Sequence, residues 1–217
     1  MPDLAFRVTG VDAGARGLTP LLNFKLEVTN SPSSESIHTI MLQAQIQIQA
    51  PQRTYTASEK GKLEDLFGVP ERWGQTLRNK LWTNASTCIR TFAGTTEGLL
   101  PVPCSYDLNI SATKYFYALE SGEVPLLFLF SGTIFYAGAN GQLQVQQIPW
   151  DKECSYHMPV PAWQALMDHH YPGTAWLVLQ REVLDRLYAY KRRRGLATWD
   201  QAIEELLPAG ENAEIAR

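Results

Sequence analysis

Residues 40–49 read IMLQAQIQIQ: Ile40, Leu42, Ala44, Ile46 and Ile48 alternate with Met41, Gln43, Gln45, Gln47 and Gln49. Successive side chains of a strand point to opposite faces, so this period of two sends the aliphatic set into a core and the glutamines into water. Working outward, residues 21–29 (LLNFKLEVT) repeat the pattern with Leu22, Phe24, Leu26 and Val28 on one face. Leu4, Phe6 and Val8 repeat it again. The turn-rich NSPSSES at 30–36 separates two of these strands, and the Gly- and Pro-bearing segment 10–20 reads as a loop.

Further along, strands are expected at about 82–92 and at 105–112, where Tyr106, Leu108, Ile110 and Ala112 alternate with polar neighbours. Residues 125–136 are apolar on both faces, which predicts a central strand covered on both sides. Gly138, Asn140 and Gly141 then turn the chain into QLQVQQI at 142–148, a more exposed hairpin partner that reads as the last strand.

Helical signals have different places. Residues 58–68 offer Ser58 as an N-cap, Leu63, Leu66 and Phe67 on one face, and Gly68 as a stop. After Pro161 the period becomes 3.6: Trp163, Leu166, Met167 and His170 share a stripe, and so do Val183, Leu184, Leu187 and Tyr188. Thr198 with Gln201 three residues later forms a capping-box pattern. The fold class is therefore α+β: an antiparallel β-rich body, sheet or sandwich, with helices gathered at the C-terminus and a short helical connector near 58–68. The expected organisation is a β region at 1–56, the connector at 57–81, an α+β region at 82–207 and a tail at 208–217, within one continuous domain if the β regions merge.

The chain has 217 residues, 45% hydrophobic and 19% charged, with a formal charge of −3. That balance fits a globular protein and gives no overall attraction for nucleic acid or anionic lipid. The basic run Lys191–Arg194 closes a predicted helix, where cations complement the helix dipole. No secretory leader pattern is visible at the N-terminus, and Ser131, Gly132 and Thr133 interrupt the greasiest segment before it reaches membrane-spanning length. Three scattered cysteines, Cys88, Cys104 and Cys154, argue against a disulfide framework. The expectation is a cytoplasmic protein without membrane insertion.

Two chemistries compete for the segment 145–163, VQQIPWDKECSYHMPVPAW. Cys154 and His157 could supply two metal ligands, with Cys88, Cys104, His169 and His170 completing a site. Zinc signatures usually come as two closely spaced couples, however, and residues three apart on a strand face opposite ways. A thiol nucleophile at Cys104 or Cys154 needs a lowered pKa, whereas Asp151 and Glu153 beside Cys154 would raise it. No nucleophile elbow, phosphate loop or His-Glu-x-x-His pattern occurs. No cofactor is expected on the leading reading. The other chemistry is protein contact: aromatic residues make up 11% of the chain, and the 115–117 run, if extended, cannot turn all of its rings inward. Tyr115, Phe116 and Tyr117, together with the polar–aromatic junction Trp150, Asp151 and Glu153, are the candidate partner-binding residues.

The segments LFGVPERWGQTLRNKLWT, PVPCSYD, KYFYALESGEVPLLFLFSGTIFY and IPWDKE resemble a bacterial family with a domain of unknown function, whose genes neighbour those of nickel–iron hydrogenases and their maturation factors. Gly132, Ile134, Phe135, Gly138, Pro161, Leu177, Leu179, Asp185, Leu187 and Tyr188 are also similar in order to positions of the SecB export chaperone. The second resemblance implies an antiparallel sheet with helices on one face; the first 100 or so residues do not share it. Together they imply a non-enzymatic accessory protein, chaperone-like or a subunit, whose protein partner is a component of a redox enzyme such as a hydrogenase; a homo-oligomer is compatible with the same surface. The rival is a metal- or thiol-dependent enzyme using Cys104, Cys154 and His157.

Overall fold

The computed structural model describes residues 1–14, 17–106, 109–138 and 140–207. Strands β1 (Asp3–Ala13), β2 (Leu21–Ser31) and β6 (Thr95–Pro103) form one antiparallel sheet in the order β1-β2-β6. The second sheet runs β4 (Lys80–Ile89), β3 (Ser36–Ile48), β7 (Glu123–Ala137), β8 (Leu143–Gln147), with the two-residue β5 (Phe92–Ala93) on β3 and β9 (Glu153–Pro159) on β7. Strands from 1–56 and from 82–207 thus share both sheets.

Period two dictates what is buried. Leu22, Phe24, Leu26 and Val28 of β2 are inside, as are Leu42, Ala44, Ile46 and Ile48 of β3. The inner faces of the two sheets interdigitate: Phe6 stacks on Phe130 at 4.5 Å, and Phe24 meets Phe128 edge-on at 5.1 Å. Each such side chain taken from water contributes about 1.5–3 kcal/mol, and the aromatic geometry adds to that. The class is α+β with an antiparallel, sandwich-like body.

The connector near 58–68 is helical as expected, as α1 (Ala57–Lys62) and α2 (Glu64–Phe67), and a further short helix, α3 (Trp73–Thr76), follows it. The connector's N-cap is Thr56, not Ser58, because Thr56 and Glu59 form a complete capping box. Gly68 ends α2 at φ 73°. The expected strand at 105–112 is corrected. Helix α4 (Ile110–Ala118) occupies its second half, and residues 107–108 lie outside the described residues. The Asn109 side chain accepts from Ala112 N at 3.0 Å and donates to the Leu81 and Trp82 carbonyls, which caps the helix and docks it on β4. Phe116 of α4 packs between Trp82 (4.8 Å) and Trp163 (5.3 Å) of α5 (Val160–His170).

Two further corrections concern the second half of the chain. The strand at 125–136 is central, as expected, but only its inner face is covered: Leu127, Leu129 and Phe135 are half-buried. QLQVQQI is not the last strand, since β9 follows and pairs with Glu123–Leu129 of β7. Helices α6 (Arg181–Arg194) and α7 (Trp199–Glu204) belong to a second compact unit, Ala175–Arg217; the sandwich lies in Met1–Thr174. The tail expected at 208–217 falls outside the described residues. Among the described residues no helix is long and apolar enough to cross a membrane.

Candidate functional site

Strands β8 and β9 run in the same direction along the same side of β7, pairing with Thr133–Ala137 and Glu123–Leu129 respectively. They amount to one edge strand with an excursion at 148–152. Ile148 N donates to Gly132 O (2.9 Å) and Phe130 N to Lys152 O (2.8 Å), so both feet of the excursion are held on β7 while residues 149–151 loop away. Lys152 Nζ donates to Asp3 Oδ1 at 2.6 Å and ties the turn to β1. The loop carries Trp150 into solvent at 93% exposure, an unusual state for the largest apolar side chain.

The rest of the edge is open. Leu143 and Val145 point outward at 60% and 57% exposure. The outer margin of β8 has no strand partner among the described residues. No charged residue occurs between Gly138 and Trp150. Sheet edges are normally protected by charge, proline or cover, because unpaired N–H and C=O groups recruit another strand. Here Asp151 and Glu153 mark only the far end of the β8 segment, and both are exposed. An extended segment of a partner could add to this edge through its main chain, with Leu143, Val145 and Trp150 as side-chain contacts.

The aromatic run 115–117 behaves differently from expectation because it is helical. Tyr115 and Phe116 are buried at 0% and 2%, while Tyr117 is 64% exposed. Tyr115 donates to or accepts from Tyr55 through a 2.8 Å hydroxyl contact; burial and then the neighbouring Tyr55 raise its pKa. Of the candidate partner-binding residues, Tyr117, Trp150, Asp151 and Glu153 are therefore at the surface, and Tyr115 and Phe116 are core.

The residues of the catalytic rival occupy three separate neighbourhoods. The Cys104 thiol is buried beside the Leu22 backbone, and burial pushes it up to about 12. Cys154 faces the sandwich interior near the Val8 backbone and is also raised, chiefly by burial. His157 lies on the opposite face of β9, with Nδ1 at 3.3 Å from Glu123 Oε2. Raised thiols are poor nucleophiles and poor ligands at neutral pH. No group of three or more His, Cys, Asp or Glu side chains that could hold a metal occurs among the described residues.

A cluster that sequence reasoning missed lies at the start of the connector. Arg53 makes a two-pronged ion pair with Glu59 (Nη2–Oε1 2.8 Å, Nη1–Oε2 3.0 Å), with side-chain exposures of 9% and 1%. The guanidinium also donates to the Glu123 and Ser121 carbonyls, and the Glu59 carboxylate accepts from Thr56 N and Glu120 N. Burial works to raise Glu59, but Arg53 and those two N–H groups prevail and hold it at about 2. A cavity of about 460 Å³ opens beside the pair, lined by Tyr55, Gly122, Glu123 and His157 among others. With four of its five N–H groups engaged, Arg53 serves as a clamp between the connector and β7 rather than as a ligand group. The signal that could have revealed its carboxylate is the Thr56-x-x-Glu59 spacing.

Similar solved structures include a protein assigned as late embryogenesis abundant, determined in solution (14% identity, TM-score 0.31, covering 73% of this chain and 72% of that one). Another is a protein described as ApaA from Bordetella pertussis (13% identity, TM-score 0.26, covering 73% and 95%). Likeness at this level carries no argument about function. No curated protein matches the chain. A family model does match, over residues 1–215, so the chain belongs to DUF6084, a family of unknown function.

Proposed function

We propose that this protein is a non-catalytic accessory protein that binds another protein along the β8–β9 edge. It would act as a chaperone-like assembly factor for, or a subunit of, a multi-subunit redox enzyme such as a nickel–iron hydrogenase. The observation that carries the reading is the β8 part of that edge, uncharged and without a strand partner among the described residues, flanked by a tryptophan at 93% exposure. Aromatic anchors beside a fully desolvated main-chain contact are what protein interfaces use most effectively. The resemblance to a family encoded beside hydrogenase genes suggests the class of partner and a cytoplasmic setting. The SecB-like order of residues fits a client-holding role.

Co-purification from hydrogenase-producing cells tests this. The wild-type chain should recover a hydrogenase component in stoichiometric amount. The Val145→Lys/Trp150→Ala double variant, which alters only exposed side chains, should lose it while keeping the wild-type melting temperature. Equal recovery by the variant would remove the edge from the account. Recovery of a different single protein, lost in the variant, would keep the edge and remove the hydrogenase. Self-association lost in the variant would make a second copy the occupant.

A further inference from the structure

The unit Ala175–Arg217, described through Leu207, is a helical hairpin of α6 and α7. Gly195 ends α6 in the left-handed conformation (φ 69°), and Thr198 with Gln201 caps α7. Glu205 joins the helices by accepting from Tyr190 Oη (2.8 Å) and Arg194 Nε (3.1 Å). Trp199 lies against Tyr188 (6.0 Å) and under Lys191 Nζ (5.5 Å). Despite these contacts, Ala202 is the only buried residue of the unit among those described. Val183, Leu184 and Leu206 remain 43%, 44% and 56% exposed. A two-helix unit that buries one side chain has little hydrophobic stabilisation of its own.

Between α6 and the turn that follows α7 lies a groove of about 500 Å³. Val183, Leu187, Ala189 and Leu206 supply apolar walls, and Arg186 and Arg193, two turns apart on α6, add positive charge. Neither arginine has a carboxylate within ion-pair distance among the described residues. Residues 175–207 as a whole hold six basic side chains against five acidic ones, but the groove lining itself holds Arg186 and Arg193 and no carboxylate. Elsewhere on α6 an acidic partner is already seated, since Arg194 is paired with Glu205 after α7.

From this charge complementarity we propose that the α6–α7 groove docks an acidic amphipathic helix of a protein partner. Its apolar stripe would rest on Val183, Leu187 and Leu206, and its flanking carboxylates would pair with Arg186 and Arg193. Helix-in-groove binding reads apolar anchors at helical spacing, which is the spacing the floor presents. Glu182, Asp185, Asp200 and Glu204 lie outside the groove lining, so they oppose a flat anionic bilayer, which meets the whole unit, rather than a helix seated in the groove; a second α6, with six basic residues against two acidic ones, would bring +4 against +4. The inference does not depend on the β8–β9 edge.

The test uses the full chain and a fluorescein-labelled peptide of about 18 residues, five helical turns, with a leucine stripe flanked by glutamates. A second peptide replaces each glutamate by lysine. In fluorescence anisotropy the glutamate peptide binds and the lysine peptide does not. Arg186→Glu/Arg193→Glu, with an unchanged circular dichroism melt, weakens the glutamate peptide by about tenfold or more and allows the lysine peptide to bind, as expected of close charge pairs at an interface. Failure of the glutamate peptide to bind, equal binding of both peptides, or indifference to the arginine variant would overturn the proposal. So would arginine-dependent sedimentation with phosphatidylglycerol vesicles that the peptide does not compete for, which would assign the groove to lipid. Arginine-dependent dimerisation in sedimentation velocity would overturn it in favour of a second copy.

Discussion

Gly132 of β7 approaches Met41 of β3 so closely that a Cβ at position 132 would collide with the Met41 carbonyl oxygen. The residue sits at φ 135°, a conformation that side chains rarely adopt, and its own carbonyl receives Ile148 N. The irregularity that glycine permits in β7 is the point at which the edge strand divides into β8 and β9 and Trp150 leaves the sheet. Sequence, backbone conformation and the candidate interface meet at this residue.

Gly132→Ala should therefore destabilise the protein by about 3 kcal/mol, a strained backbone and a steric clash acting together. Urea denaturation followed by tryptophan fluorescence measures the loss. A change within about 0.5 kcal/mol, the scale of an innocuous surface substitution, would mean that the close approach relaxes freely.

The Arg53–Glu59 clamp predicts acid sensitivity with a definite sign. Glu59 is held at about 2 in the fold against 4.5 when free. A carboxylate with a depressed value contributes stability fully above its unfolded value and loses it as pH falls through the folded one. The contribution, about 3 kcal/mol, should drain away between pH 4.5 and pH 2. Glu59→Gln should flatten that limb of the stability–pH curve, as seen in urea midpoints measured across the range.

Removing one side of the clamp should cost more than removing both. Arg53→Ala leaves a buried carboxylate with its cation gone and should lose about 3–5 kcal/mol, while Arg53→Met/Glu59→Leu, which strands no charge but leaves Thr56 N and Glu120 N without their acceptor, should lose less without reaching wild type. Thermal melts of the two variants at pH 7 check the order. A more stable Arg53→Ala would contradict the structural role of the pair.

Thiol labelling should separate the cysteines by burial. Cys88 is exposed and should react with a disulfide reagent in the folded protein, followed by the half-buried Cys154. Cys104, buried and raised to about 12, should react only on unfolding. Fast reaction of Cys104 in the native state would revive the thiol reading.

Much of this architecture was legible in the sequence because burial follows the period of two. Leu22 through Val28 and Leu42 through Ile48 required nothing beyond alternation. Helix α4 was misread because Tyr106, Ile110 and Ala112 also alternate. The decisive cue was the Asn109 cap, whose anchoring carbonyls at Leu81 and Trp82 are distant in sequence. Strand β9 was hidden by Pro149, Pro159 and Pro161, although Cys154, Tyr156 and Met158 alternate with Glu153, Ser155 and His157 and take the inner face. The candidate site was half legible. Trp150, Asp151 and Glu153 were identified as a junction, but the excursion that carries Trp150 is held by backbone bonds from Ile148 N to Gly132 O and from Phe130 N to Lys152 O, partners distant in sequence. Arg53 was invisible, since two of its acceptors are the carbonyls of Ser121 and Glu123.

Trp150→Ala and Val145→Lys should each leave stability within about 0.5 kcal/mol of wild type and weaken partner binding by about 2 kcal/mol or more. Isothermal titration against the co-purified partner, paired with a thermal melt, separates the two effects.

Hydrogen–deuterium exchange of the full chain, with and without that partner, reads the β8 edge itself. Exchange should slow at Leu143–Gln147, where β8 would gain a second strand neighbour, and the 148–152 turn should become protected. Unchanged exchange throughout 143–159, with protection confined to other parts of the chain, would contradict binding at this edge.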